Sequence, residues 1–221
     1  MSPYGAAAAK PPSPTRTSTT YSNDVGGCIS VHHITKSSCP DELLRLFYEE
    51  FEKELEIGRT YPQEGPIGFD GFRNYFFAGD VFVGIISHEG PSLKETPADI
   101  EAARAGRDWG DCVAGSYYVK DNYPGRSSHI CNGGFVVLSK WRGKRYGSLL
   151  GESYLHYAPL LGYRGSVFNL VYINNVASVA IWERLGFKRV GQIPGAGRLK
   201  KADGSGEEYV DAAVYYKSFV E

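Results

Sequence analysis

The feature that most constrains this chain is a strand-forming run that passes directly into a basic, glycine-containing helix start. Residues 135–138, Phe-Val-Val-Leu, have strand character, and Ser139-Lys140-Trp141 leads into Arg142-Gly143-Lys144-Arg145-Tyr146-Gly147. An apolar helix follows, with Leu149, Leu150, Ser153, Tyr154 and Tyr157 on one face. The N–H groups of a first helical turn have no intrahelical partner and point along the axis, so they attract anions. Basic residues there oppose the helix dipole unless an anion is expected. Gly143 and Gly147 would let the backbone approach a diphosphate-sized anion, with Arg142, Lys144, Arg145 and Tyr146 around it. The junction therefore predicts an α/β fold with an anion-binding strand-to-helix turn.

The rest of the chain fits that class. Strands are expected at residues 28–34, 81–86, 113–120, 128–138, 166–172, 187–192 and 210–219. Leu43, Phe47, Phe51 and Leu55 recur every four residues on a helix that Gly58 ends. Ser38 is its expected cap, with Asp41 in the capping-box position and Pro40 in the first turn. Further helices are expected over residues 69–77, 142–161 and 176–185. A meander followed by strand–helix–strand–helix–strand gives a mixed, mostly antiparallel sheet of about seven strands, with helices on both faces.

Residues 1–24 contain sixteen Ala, Pro, Ser or Thr, a composition that buries too little to offset ordering, and are expected to be a disordered tail. Residues 25–221 are expected to form one domain, with a tolerated polar insertion at 88–111. The tail is rich in Ser and Thr and poor in acids, as transit peptides are, but Lys10 and Arg16 are its only basic residues. A cytoplasmic location is expected, with a mitochondrial one as the alternative.

With 24 basic and 25 acidic residues scattered throughout, nothing marks a nucleic-acid or anionic-membrane partner. No apolar run approaches the roughly 18 residues of a membrane-spanning helix. Cys28, Cys39, Cys112 and Cys131 lack metal-site or framework spacing and read as buried thiols. His32 and His33 are neighbours in a strand and should face opposite ways, so no metal site is expected.

On these residues the chain resembles the GNAT acetyltransferase superfamily. Arg142 and Gly147 occupy the ends of its Arg/Gln-x-x-Gly-x-Gly/Ala motif, with Arg145 in place of the middle glycine. The run from Asn175 through Ser178 and Trp182 to Gly186-Phe187 resembles the second signature, with Trp182 where tyrosine is usual. The resemblance implies acetyl-CoA as cosubstrate, held by Arg142 to Gly147 and by Ser178. It implies direct attack of a neutral amine on the thioester, with backbone N–H groups near Val137 and Leu138 holding the developing oxyanion. An amine of pKa near 10 is neutral about one time in a thousand at pH 7, so supplying that form costs about 4 kcal/mol.

A narrower resemblance is carried by Gly58-Arg59-Thr60-Tyr61-Pro62-Gln63, Ser128-His129-Ile130-Cys131-Asn132, Phe168-Asn169-Leu170-Val171 and Ile193-Pro194-Gly195-Ala196-Gly197. These runs are similar to those of the fungal proline-analogue N-acetyltransferases, which act on azetidine-2-carboxylate and related cyclic imino acids. That resemblance implies a catalytic Asn175, substrate-binding Asn132 and Asn169, a small-molecule substrate and a homodimer. From the residues alone, Asn175 is equally a helix cap. His129 lies three positions from Asn132 on a strand and is read as structural. A GNAT acting on another small amine and a non-catalytic CoA-binding module are the alternatives.

Overall fold

The computed structural model describes residues 16–87 and 95–220. Eight strands form one sheet: β1 (Thr19–Ser22), β2 (Cys28–Ile34), β3 (Asp80–Ile86), β4 (Val113–Asp121), β5 (Ile130–Val137), β6 (Gly165–Tyr172), β7 (Lys188–Lys200) and β8 (Glu207–Ser218). Their order is β1-β2-β3-β4-β5-β6-β8-β7. Every neighbouring pair is antiparallel except β5 and β6.

The helices are α1 (Asp41–Ile57), α2 (Phe69–Phe76), α3 (Ile100–Arg104), α4 (Trp109–Cys112), α5 (Tyr146–Leu160) and α6 (Val176–Arg184). The period-four stripe of α1 packs with α2 on one face of the sheet, where Phe47, Phe51, Phe72 and Phe76 meet Val81, Tyr118 and Val136. On the other face, Leu149, Leu150, Tyr154 and Tyr157 of α5 meet Ile29, Val31, Phe82 and Tyr117. Burying such side chains contributes about 1.5–3 kcal/mol each.

Four expectations need correction. The eighth strand is β1, inside the segment expected to be a tail. Its Thr-Thr-Tyr-Ser sequence is polar, but its backbone pairs with β2 and Tyr157 Oη of α5 donates to Thr17 O at 2.9 Å. The remainder of that segment, residues 1–15, lies outside the described residues. Ser38 does not cap α1. Its hydroxyl accepts from Thr35 N, and Pro40 stands at the N-cap, which needs no N–H there. The helix expected from residue 142 begins at Tyr146, because residues 139–141 make a 3-10 turn and Arg145 turns left-handed. The described part of the insertion is not an excursion: Ile100, Ala103 and Trp109 are buried, and Arg107 donates to Ile86 O and Ala103 O. Residues 88–94 lie outside the described residues.

His32 and His33 do face opposite ways. His33 stacks on Phe82 and pairs with Asp80, whereas His32 sits between Ser18 Oγ and Ser30 Oγ, each at 2.8 Å. Burial pulls the His32 imidazole down to about 4, although Asp99 works the other way. A folded value below the unfolded one means that the unfolded chain takes up a proton first. Stability attributable to His32 is therefore expected to fall as pH drops from about 6.5 through about 4, by on the order of 3 kcal/mol. Urea unfolding at pH 7 and pH 4 should show that His32→Asn escapes this part of the loss; equal losses in the two proteins would contradict it.

Candidate active site

The site begins where β5 and β6 part. They pair only at Ile130↔Gly165 and Cys131↔Ser166, and then diverge into a gap. An antiparallel ladder alternates the side to which each residue's N–H and C=O point. Leu138 N donates to Ala114 O of β4 at 3.1 Å, and Asn122 N to Ile130 O at 2.9 Å, which fixes the phase of β5. The N–H and C=O groups of Val137 and Phe135 consequently face the gap. Two hydrogen bonds agree: Tyr61 Oη donates to Phe135 O at 3.1 Å, and Arg142 Nε to Val137 O at 3.3 Å. Of the two expected oxyanion donors, Leu138 is therefore excluded, since its N–H is spent on β4 and its side chain is buried.

Above the gap lies the turn into α5. Buried Glu50 of α1 accepts from both Ser139 N and Ser139 Oγ, at 2.9 and 2.8 Å, and so anchors the turn to the opposite layer. Burial opposes ionisation of Glu50, but hydrogen bonds from Lys53 and Ser139 outweigh it and hold the carboxyl below the usual range. Gly143 has φ +76°, with nothing within 4 Å of an added Cβ, so the turn is open on that side. Arg145 has φ +61°, the conformation a glycine would take, at a cost of about 1 kcal/mol. The first turn of α5 has no side-chain cap, and although Ser148 N donates to Arg145 O at 3.1 Å, the N–H groups of Tyr146 and Gly147 are left for an anion.

The basic residues here are not all free. Arg142 Nη2 is 2.5 Å from Glu54 Oε1, and the other oxygen of Glu54 accepts from Thr60 Oγ1 at 2.7 Å. Arg145 Nη1 holds both oxygens of Asp24 at 2.6 Å, an exposed pair worth little by itself. Lys144 is not on the cavity wall; its ammonium lies 4.5 Å over the Trp141 ring. Arg142, Gly143, Arg145, Tyr146 and Gly147 thus line the cavity at this turn and form its candidate anion end. Gly147 also lets α6 approach, since an added Cβ would stand 3.3 Å from Ile181 Cδ1.

A cavity of about 810 Å³ runs from this turn along the gap. Asn175, Ser178 and Trp182 line its middle. Asn175 Oδ1 accepts from Ser178 N at 3.2 Å and caps α6. Its Nδ2 has no hydrogen bond among the described residues. Trp182 Nε1 donates to Ser178 Oγ at 2.9 Å, and its ring packs on Phe168 and Phe135. The indole can donate a hydrogen bond but cannot act as a proton donor.

At the far end, Asn132 and Asn169 are brought together by a residue that sequence reasoning missed. Asn122 Oδ1 accepts from Asn132 Nδ2 at 2.9 Å and from Asn169 Nδ2 at 2.5 Å, and its own Nδ2 donates back to Asn169 Oδ1 at 3.2 Å. Lys120, Tyr75 and Tyr118 were missed as well and close the same end. Lys120 and Asn132 are direct register partners across β4 and β5. The only signal available was the strand period, which places Tyr118, Lys120 and Asn122 on one face. Burial pushes the phenols of Tyr61 and Tyr118 well above their ordinary range, so neither is a phenolate base. His129 lies in the turn before β5 rather than on the strand; it is exposed, bonds Arg126 O through Nδ1 and does not line the cavity. Among the described residues, no group of three or more His, Cys, Asp or Glu could hold a metal.

Residues 42–187 match the acetyltransferase (GNAT) family model. The chain is 40% identical over 192 residues to N-acetyltransferase aca1 of Schizosaccharomyces pombe, covering 87% of this chain and 88% of that protein. Among solved structures, a GCN5-related N-acetyltransferase from Kribbella flavida superposes with a TM-score of 0.65 at 20% identity, covering 85% of this chain and 97% of that one. So does yncA of Salmonella typhimurium, solved with its cofactor acetyl-CoA, with a TM-score of 0.63 at 16% identity and coverage of 87% and 95%. These two share the fold. The chain belongs to the GNAT acetyltransferase family. It is an acetyl-CoA-dependent N-acetyltransferase, and its uncapped α5 start, open turn and gap-facing N–H groups suit that cosubstrate. No described helix is long and apolar enough to cross a membrane.

Proposed function

We propose that this enzyme acetylates the ring nitrogen of small cyclic imino acids of the azetidine-2-carboxylate, hydroxyproline and pyrroline-carboxylate type. Such a reaction would detoxify proline analogues and limit oxidative stress. The observation that carries this reading is the polar far end of the cavity, where Asn122 joins Asn132 to Asn169 beside Lys120. A compact cluster of amides and one cation suits a small zwitterion better than a polyamine, whose charges would want carboxylates.

In this reading acetyl-CoA supplies an activated thioester. The Val137 N–H meets the developing oxyanion, and the gap-facing groups of β5 align the pantetheine arm. The first turn of α5, with Arg142, Gly143, Arg145, Tyr146 and Gly147, takes the phosphates, and Ser178 borders the cofactor. Asn175 donates through Nδ2 toward the sulfur, a role that Trp182 cannot fill. Asn132 and Asn169 orient the acceptor, with Asn132 Oδ1 left without a donor among the described residues. A cytoplasmic homodimer is part of the same reading and rests on the resemblance.

The test is CoA-thiol release with L-azetidine-2-carboxylate against a panel of primary amines and polyamines. The expected result is turnover of the imino acid with a kcat/KM at least about tenfold above any amine in the panel. Turnover of a primary amine alone would replace the proposed substrate class. CoA binding without turnover of any acceptor would point to a non-catalytic module.

A further inference from the structure

Lys120 is a half-buried ammonium on the wall of the cavity whose counter-charge is missing. Its Nζ lies 4.3 Å from the centroid of the Tyr75 ring and 4.4 Å from that of Tyr118. Tyr75 and Tyr118 join their hydroxyls at 2.7 Å, so the two rings form a fixed wall. Among the described residues, no hydrogen bond or ion pair holds the Nζ. Glu54, a carboxylate on the same cavity, is taken by Arg142 and Thr60. Neighbouring Asp121 alternates to the opposite face of β4, where Tyr163 Oη donates to it at 2.8 Å. Burial alone pulls the ammonium down to about 8, the direction of a cation lacking an anion.

The two rings account for how a cation is tolerated there, since aromatic faces attract it. They do not account for its free donors. An ammonium has three, and rings satisfy none of them as a carboxylate does. Opposite Lys120 in the β4–β5 register stands Asn132, tied through Asn122 to Asn169. Cation and amides therefore border one volume, away from the phosphate turn.

We propose that Lys120 is a specificity-determining residue, whose ammonium takes the carboxylate of the acceptor and selects amino and imino acids over uncharged or cationic amines. The inference rests on the proposed function and adds its charge requirement. A charge-assisted contact in a cavity is strong and directional, whereas an acceptor with a second positive charge is repelled. The same charge disfavours a protonated nitrogen nearby, which is the direction that acetylation requires.

The experiment compares L-azetidine-2-carboxylate with its carboxamide in the wild type, Lys120→Met and Lys120→Arg. Wild type is expected to prefer the carboxylate in kcat/KM by about 10- to 100-fold. In Lys120→Met that preference should collapse toward about one, through a raised KM for the carboxylate, while the KM for acetyl-CoA holds. Lys120→Arg should keep most of the preference. A preference undiminished in Lys120→Met overturns the proposal, as does its absence from wild type. Should the wild type turn over no cyclic imino acid, the proposed function fails. The same ratio is then read on glycine and alanine against their amides, where a carboxylate preference lost in Lys120→Met still supports the role of Lys120.

Discussion

Proline at position 137 is expected to leave the enzyme folded but nearly inactive, whereas proline one residue later is expected to destabilise it strongly. The difference follows from the phase of β5. Leu138 N donates to Ala114 O just past the end of the β4–β5 ladder, and Leu138 is buried between the sheet and α1. Losing that buried donor and leaving Ala114 O unpaired should cost on the order of 3 kcal/mol. Val137 points its N–H into the gap, where β6 has already turned away, so that side of β5 behaves as an edge. Proline is tolerated on such a side, and Val136 before it is already extended, as a pre-proline residue must be. Val137→Pro should thus melt within a few degrees of wild type, with kcat/KM reduced on the order of 100- to 1000-fold, the usual cost of losing one oxyanion donor. Thermal melts and CoA-thiol release measure the two effects. Near-normal turnover in Val137→Pro would remove the Val137 N–H from the chemistry. Equal destabilisation by the two prolines would show that the gap is not an open edge.

This contrast marks the limit of what could be read from the residues. The strand into helix at 135–147, the period-four stripe of α1 and the inner face of α5 were legible, because apolar spacing and helix-end chemistry are local. The gap was not. It depends on a parallel pairing that stops after two positions, and nothing in the β5 or β6 sequence states where pairing stops. Arg145 was visible as a departure from glycine, yet only the backbone shows that it adopts glycine's left-handed conformation. Strand β1 was hidden because its contribution is backbone pairing with β2 and a hydrogen bond from Tyr157, neither of which leaves an apolar pattern. Lys120 and Asn122 stand at the end of an expected strand with no motif or spacing that singles them out. Register alone places Lys120 opposite Asn132. Asn132 and Asn169 were found by resemblance, and the hydrogen bonds through Asn122 are what holds the two amides side by side.

Asn175 is the residue where a structural and a catalytic role overlap, and substitutions should separate them. Its Oδ1 is committed to Ser178 N, so Asn175→Ala should cost α6 about 1 kcal/mol. The proposed role of Nδ2, donation to the developing thiolate, should disappear in the same variant and lower kcat on the order of 100-fold. A fall in both quantities would not distinguish the roles, because a frayed α6 would also displace Trp182 from Phe168. Asn175→Asp distinguishes them. Aspartate caps as well as asparagine, and its charge is favoured at a helix N-terminus, so stability should match or exceed wild type. The carboxylate has no donor, however, and sets a negative charge beside the sulfur, so kcat should fall at least as far as in the alanine variant. The KM for acetyl-CoA should change little in either, since the proposed phosphate site is at the start of α5, away from Asn175. Stability and turnover that move in opposite directions in Asn175→Asp establish the donor. Turnover that recovers with stability would leave Asn175 as the cap of α6 and nothing more.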